Sequence, residues 1–380
     1  MAAKAIVAAL RTSPETVLDD YGRLMRLANY QAHLPKDKDT ALKINITWHH
    51  FYPAVNTTPW QIEGVVRTLL QDGYRRDLIH GCHNRTVVVS ARRGEVNNCH
   101  KAVLDRYGLR NVHLYEGEEW IRYEPKSKML VLHDIYPKGI EIPKRMIGEN
   151  IIHLPLAKTH VFTDLTGAMK NAFGGLLHEK RHFTHSVIHE TLVDLLAIQK
   201  EIHSGLFNVL DATWAGDGPG PRCLVAHEKD LILASADPVA IDAMLAKLFG
   251  WDPMSLKFIR LAHEQGLGVG DPKEIDVVGD DIAAESWNFV RGRNTFASRG
   301  QKLIYWGPLK PLEKLLLRTW IAPWSYAASI AFHDGYWYPF VGRHRVRKAL
   351  LGKWGRLFQQ YRDGRVQPQP DLGQAAERPA

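Results

Sequence analysis

Cysteine is scarce in this 380-residue chain: Cys82, Cys99 and Cys223 are the only three, and they are far apart. Three scattered thiols exclude a disulfide framework and fit a reducing, cytoplasmic compartment. They also fall short of the four thiolates a cubane cluster takes, so no self-contained iron–sulfur cluster is expected. A metal ion and an organic redox cofactor stay open. Long apolar runs are missing: none approaches the ~20 residues a spanning helix needs. The opening Met1-Ala2-Ala3-Lys4-Ala5-Ile6-Val7 turns polar too early for a signal peptide. There is no internal repeat, no P-loop spacing and no dinucleotide fingerprint. Acidic residues are short in one place. Residues 1–300 hold 36 Lys and Arg against 36 Asp and Glu, whereas residues 301–365 hold 12 against 3. The net charge of +8 therefore belongs to one C-terminal segment.

What is present reads as strands alternating with helices. Strands are expected over 3–10, 41–47, 78–80, 86–89, 112–115, 151–156, 230–235 and 275–278. The run Ala41–Thr47 alternates, sending Leu42, Ile44 and Ile46 to one side and Lys43, Asn45 and Thr47 to the other. Helices are expected from a Thr12 cap to about Asn29, from Thr58-Pro59 to Gly73, from Glu95 to Tyr107, from Asp237-Pro238 to Phe249, and over 254–265. A β-hairpin or a small β excursion is expected over 128–143. This order predicts an α/β fold with a mixed, largely parallel sheet flanked by helices, followed by a basic, aromatic helical extension. The expected division is 1–285, 286–363 and a disordered tail over 364–380.

The densest chemistry lies between Asn150 and Asp211. Lys158 and His160 point the same way from one strand, as Lys43 and Asn45 do from another. Side by side in one sheet, they would converge at its carboxyl edge, where α/β folds hold ligands. Lys170, Asn171 and Gly174 lie in a glycine-rich segment where backbone and ammonium could hold phosphate or carboxylate. Asp211 is expected at a strand end, placed to orient a histidine, and Asp242 beside the Asp237 cap is a further ligand-binding candidate. His160 and His185 are the candidate proton carriers. His182, His185 and His189 are a candidate metal set, since neutral imidazole suits zinc, iron, nickel and copper. His185 and His189 are expected on one helix, with His178 and His182 in a loop. The expected ligand is an anionic small molecule or organic cofactor, and the expected chemistry redox or proton abstraction. A metal carrier or maturation factor is the alternative.

The tail interleaves Arg343, Arg345, Arg347 and Lys348 with Trp354, Leu357 and Phe358, after aromatic stretches at 320–326 and 335–340. Residues 320–361 suit an anionic membrane surface, which would place the protein at its inner face as a peripheral assembly factor. They equally suit a partner groove or packing on the main domain; no specific nucleic acid is expected.

Together Lys43-Ile44-Asn45, Thr57-Thr58-Pro59, Lys158-Thr159-His160, Lys170-Asn171-Ala172-Phe173-Gly174, His185, Asp211, Gly220-Pro221 and Ser235 to Asp242 resemble the "domain of unknown function 362" family. The resemblance covers about residues 3–282. It implies an α/β fold and a redox setting, because some relatives carry ferredoxin-type modules. This chain lacks their cysteine clusters, so the resemblance implies a redox partner protein or an organic cofactor as the electron source.

Overall fold

The structure is a computed structural model that describes residues 4–366, the side chains of 179 and 180 excepted. Residues 367–380, most of the expected tail, lie outside the described residues.

In chain order the elements are β1 (Ala5–Arg11), α1 (Val17–Leu27), β2 (Thr40–Ile44), α2 (Pro59–Gln71), β3 (Ile79–His83), α3 (Ala91–Asn97), α4 (His100–Arg106) and β4 (Arg110–His113). A small lobe follows, β5 (Trp120–Tyr123), α5 (Leu132–Ile135) and β6 (Ile140–Pro143). The chain continues through β7 (Asn150–Leu154), β8 (Leu156–His160), β9 (Asp164–Thr166), α6 (Ala168–Phe173), a 3-10 segment (Glu179–Val187) and α7 (Ile188–Ile202). Then come β10 (Gly205–Asp217), β11 (Val225–Ser235), α8 (Pro238–Leu248), α9 (Lys257–Glu264) and β12 (Ile275–Gly279). The rest is helical: α10 (Phe296–Tyr305), α11 (Glu313–Arg318), α12 (Pro323–Ile330), a π-helix (Ala331–Gly342), α13 (Arg343–Leu350) and α14 (Lys353–Arg362).

The sheet runs β12-β1-β11-β10-β7-β2-β3-β4. Along this path only β11 is antiparallel to its neighbours, so the fold is α/β with a mixed, largely parallel sheet. Alternation in β2 works as the sequence implies. Leu42 and Ile44 enter the core on the side of α1, α2 and α4, and Lys43 faces the other side. That other side is closed by α6, α7, α8 and α9.

Several expected boundaries move for local reasons. The first helix starts at Val17, because Thr12 and Thr16 turn their hydroxyls onto Asp20 (2.8 and 2.6 Å) instead of capping backbone. The expected helix 95–107 is two helices, broken at Cys99 with φ +61°. Residues 86–89 form no strand: β3 is already paired on both sides, and Thr86 and Val89 meet in one isolated bridge. The hairpin or excursion expected over 128–143 instead pairs β5 with β6, enclosing α5. Asp237 caps α8 as expected, accepting from Val239 and Ala240 N–H.

The C-terminal extension corrects one reading. The apolar face of α14 (Trp354, Leu357, Phe358 and Tyr361) is buried against the main domain. Phe358 stacks on Phe51 at 3.6 Å and Trp354 on Trp60 at 5.4 Å. Each such side chain stabilises the docked helix by about 1.5–3 kcal/mol, so it is not free for lipid.

Candidate functional site

The site lies where the sheet parts. Pro155 divides β7 from β8: β7 lies between β10 and β2, and β8 pairs with the upper part of β10 and with β9. Beyond this level β2 and β3 have ended, at Ile44 and His83. The gap at the carboxyl ends becomes a cavity of about 700 Å³, closed at the side by α6 and the 3-10 segment and roofed by α10 and α12. This volume and this position in the sheet are usual for a small-molecule site.

Eight of the predicted residues meet here from four segments: Lys43, Asn45, His160, Lys170, Asn171, Gly174, His182 and His185 all line the cavity. Burial pushes both Lys43 and Lys170 down to about 8. Lys43 Nζ donates to the Ile44 carbonyl at 2.7 Å, and the Asn171 amide donates to the Lys43 carbonyl at 2.9 Å. The ammonium of Lys170 stands 5.3 Å from the Phe173 ring and donates no hydrogen bond to a described residue. Asn45 is partly spent on its own loop, donating to Val55 O and accepting from Thr47.

His160 is buried and His185 half-buried, and desolvation holds both well below the ordinary histidine range, so both are neutral. Their tautomers differ in what they allow. His160 Nδ1 accepts the backbone N–H of Phe162 (3.1 Å) and of Thr163 (3.4 Å). A neutral ring whose Nδ1 accepts carries its proton on Nε2. His160 therefore offers the cavity a donor. His185 Nδ1 pairs with Tyr305 OH at 3.4 Å, and its ring lies among Phe162, Phe173 and Tyr305.

The structure also supplies residues the sequence reading did not single out. Arg181 and Arg222 line the same cavity, as do His83 and His333. Arg222 is buried, with Nε donating to Thr47 O at 3.2 Å. It follows the Gly-Pro turn at 220–221, the one signal that could have marked it. Thr86 and Thr166, also on the wall, have hydroxyls with no partner among the described residues. Among the described residues no Asp or Glu lines this cavity.

Other predicted residues lie elsewhere. Asp211 sits inside the thirteen-residue β10, not at a strand end. It accepts from Tyr21, Thr58 and Trp60 on one oxygen and twice from Thr213 on the other, and is closed off from the cavity. Asp242 caps α6, accepting from the N–H of Ala168 (2.6 Å) and Met169 (3.1 Å). Gly167 makes room for it: a β-carbon there would stand 2.0 Å from the Asp242 carboxylate. Lys158 is buried below the cavity, its amine on Thr47 and Val55 O, and burial drives its pKa far down. It anchors the loop after β2.

The expected histidine set does not converge. His182 and His185 share the 3-10 segment, whereas His189 is in the first turn of α7 and stacks on Phe258. His182 pairs with Tyr326 OH at 3.1 Å, and His178 lies edge-on to Trp120. Among the described residues, two other groups bring three ligand atoms within 4.8 Å: His49, His50 and Asp334, and His83, Glu95 and His113. The cysteines are buried outside the cavity, where desolvation raises their thiols to about 11 or 12.

A family profile matches residues 40–247, more than half of the chain, and the chain belongs to that family, described as "Domain of unknown function (DUF362)". No curated protein matches it. The matched segment runs from β2 into α8 and contains the floor of the cavity; α10 to α14 lie beyond it.

Proposed function

We propose that this member of the DUF362 family binds an anionic small molecule, a phosphate or carboxylate, and moves a proton on it. One observation carries the reading: a cavity lined by Lys43, Lys170 and Arg222 without a carboxylate among its described lining. Cations gathered in a buried cavity raise one another's cost, and a bound anion relieves it. The Nε2–H of His160 adds a neutral donor, and Thr166 an unpaired hydroxyl. Near neutral pH the neutral His185 is the group that can accept a proton, and the Lys170 ammonium, brought down to about 8, is the one that can give it. Whether a redox cofactor supplies the anion is part of the same reading, since flavins and nicotinamides are held by phosphate. Thermal-shift titration of the whole protein with inorganic phosphate, pyrophosphate and small carboxylates tests it. A shift with at least one, lost in Arg222→Met, is expected; no shift with any of them sinks the reading.

The metal alternative moves to His83, Glu95 and His113. Glu95 Oε1 is 2.6 Å from Nε2 of both histidines, and His83 lines the cavity. Two imidazoles and a carboxylate suit zinc. Elemental analysis and a UV–visible spectrum of untagged, anaerobically purified protein decide this. Stoichiometric metal lost in Glu95→Gln supports it, and metal-free protein removes it.

A further inference from the structure

The roof of the cavity is unlike the rest of the surface. Every large aromatic side chain exposed among the described residues lies between 296 and 340, and Phe296 and Trp320 are each 87% exposed. Phe296, Leu303, Leu309 and Trp324 are at once exposed and part of the cavity lining, so the mouth opens through this apolar surface. Leu315 and Trp320 extend it outward. Monomeric surfaces rarely gather so much apolar area unless something covers it.

Charge indicates what covers it. From 296 to 333 the basic residues are Arg299, Lys302, Lys310, Lys314 and Arg318, and the one acidic residue is Glu313. Glu313 is buried and paired with Lys310 and Arg318, so this surface presents cations and no free carboxylate. Tryptophan beside lysine and arginine on short helices is the composition of an interfacial surface on anionic lipid. No described helix is long and apolar enough to cross a membrane, so the contact would be with one leaflet.

The roof is also seated on the floor. Trp306 Nε1 donates to Ser186 O (2.9 Å), Arg318 to Phe183 O (2.9 Å), and Tyr305 meets His185. The same cavity that holds the lysines has Phe296, Leu303, Leu317, Phe332 and Phe162 in its wall.

We propose that α10 to α12 dock this protein on an anionic bilayer with the cavity mouth facing the lipid, and that the cavity takes from it an amphiphile with an anionic head and an apolar chain. The head goes to Lys43, Lys170 and Arg222 and the chain lies along the apolar wall; this part rests on the anion-binding reading above. The docking surface is thus the rim at 296–324 rather than the basic stretch 343–361, whose apolar face is spent on the main domain.

Co-sedimentation of the full chain with phosphatidylcholine vesicles, with and without phosphatidylglycerol, tests the docking. Binding is expected only with phosphatidylglycerol, and it should weaken with added salt. Trp320→Ser with Lys314→Glu should cut binding by about tenfold or more; both side chains are exposed, and an unchanged circular dichroism spectrum confirms that the fold survives. Wild type left in the supernatant, or a double variant that binds as well, overturns the proposal. So does a lipid-free dimer, by sedimentation velocity, that the double variant abolishes, because the face would then join two copies. The phosphate thermal shift in lipid-free buffer separates the two readings. Vesicle binding without that shift keeps the docking surface and removes the anionic head. A shift without vesicle binding removes the docking surface and keeps the floor.

Discussion

The methylene stem of Lys43 fills the space that a side chain at position 175 would need. A β-carbon on Gly175 would stand 2.7 Å from Lys43 Cε and 3.0 Å from Cδ. The second glycine of the Gly174-Gly175 pair thus sets where the Lys43 ammonium lies in the cavity. Gly175→Ala should cost about 1–3 kcal/mol by overpacking and weaken anion binding together. The double variant with Lys43→Ala, which removes Cδ and Cε, should recover part of that packing cost but none of the binding. Denaturant midpoints and phosphate titrations measure both, and a Gly175→Ala protein with wild-type affinity would show that the stem has another way to lie.

Affinity for an anion should fall as pH rises through about 8. Lys43 and Lys170 titrate near there in the free protein. Below it both are ammonium and affinity is on its plateau. Above it each binding event must also bring a proton back, which weakens binding by up to about tenfold per pH unit for each lysine. Calorimetric titration in buffers of differing ionisation heat reads both affinity and proton uptake; constant affinity from pH 7 to 9.5 contradicts the assignment.

The same lysines should cost the free protein stability. Their pKa is about 8 folded against an ordinary 10.5. Between those values the unfolded chain holds more protons, so their contribution to stability rises with pH in that window, and the cost is complete below about 8. Lys170→Met removes one such charge and leaves no hydrogen-bond partner behind. It should raise stability at pH 7 by on the order of 2 kcal/mol while weakening phosphate binding. A variant that unfolds earlier than wild type would count against a desolvated ammonium there.

His160 should be the Nε2–H tautomer and should stay neutral through the ordinary histidine range, because its Nδ1 is held by two backbone N–H groups and burial disfavours the cation. Nitrogen-15 NMR of histidine-labelled protein reads this directly. His160→Asn, which keeps an acceptor for Phe162, should fold and lose only the cavity donor. A ring that titrates near the usual histidine value would mean that it is not held this way.

Asp211→Ala should be destabilising by about 3 kcal/mol or more, because it strips the acceptor from Tyr21, Thr58, Trp60 and Thr213. Its folded fraction should still respond to phosphate. A variant as stable as wild type but blind to phosphate would return Asp211 to the site.

The sequence by itself determined the alternation of strands and helices, the facing of Lys43 in β2 and the caps at Thr58 and Asp237; of the Lys43, Asn45, Lys158 and His160 it set at the carboxyl edge, all but Lys158 line the cavity. These follow from period, capping chemistry and the right-handed rules of parallel sheets, which act over a few residues or one crossover. Only the tertiary structure decided which polar residues face the cavity. Asp211 and Asp242 look like catalytic carboxylates in sequence, but the donors that satisfy Asp211 come from α1 and α2, and those that satisfy Asp242 from α6. Arg181, Arg222 and the exposed roof are invisible locally for the same reason. Whether a charge is paired, or an aromatic covered, depends on groups far along the chain, 74 residues away for Ala168 and Asp242 and 190 for Tyr21 and Asp211, and burial sets its cost.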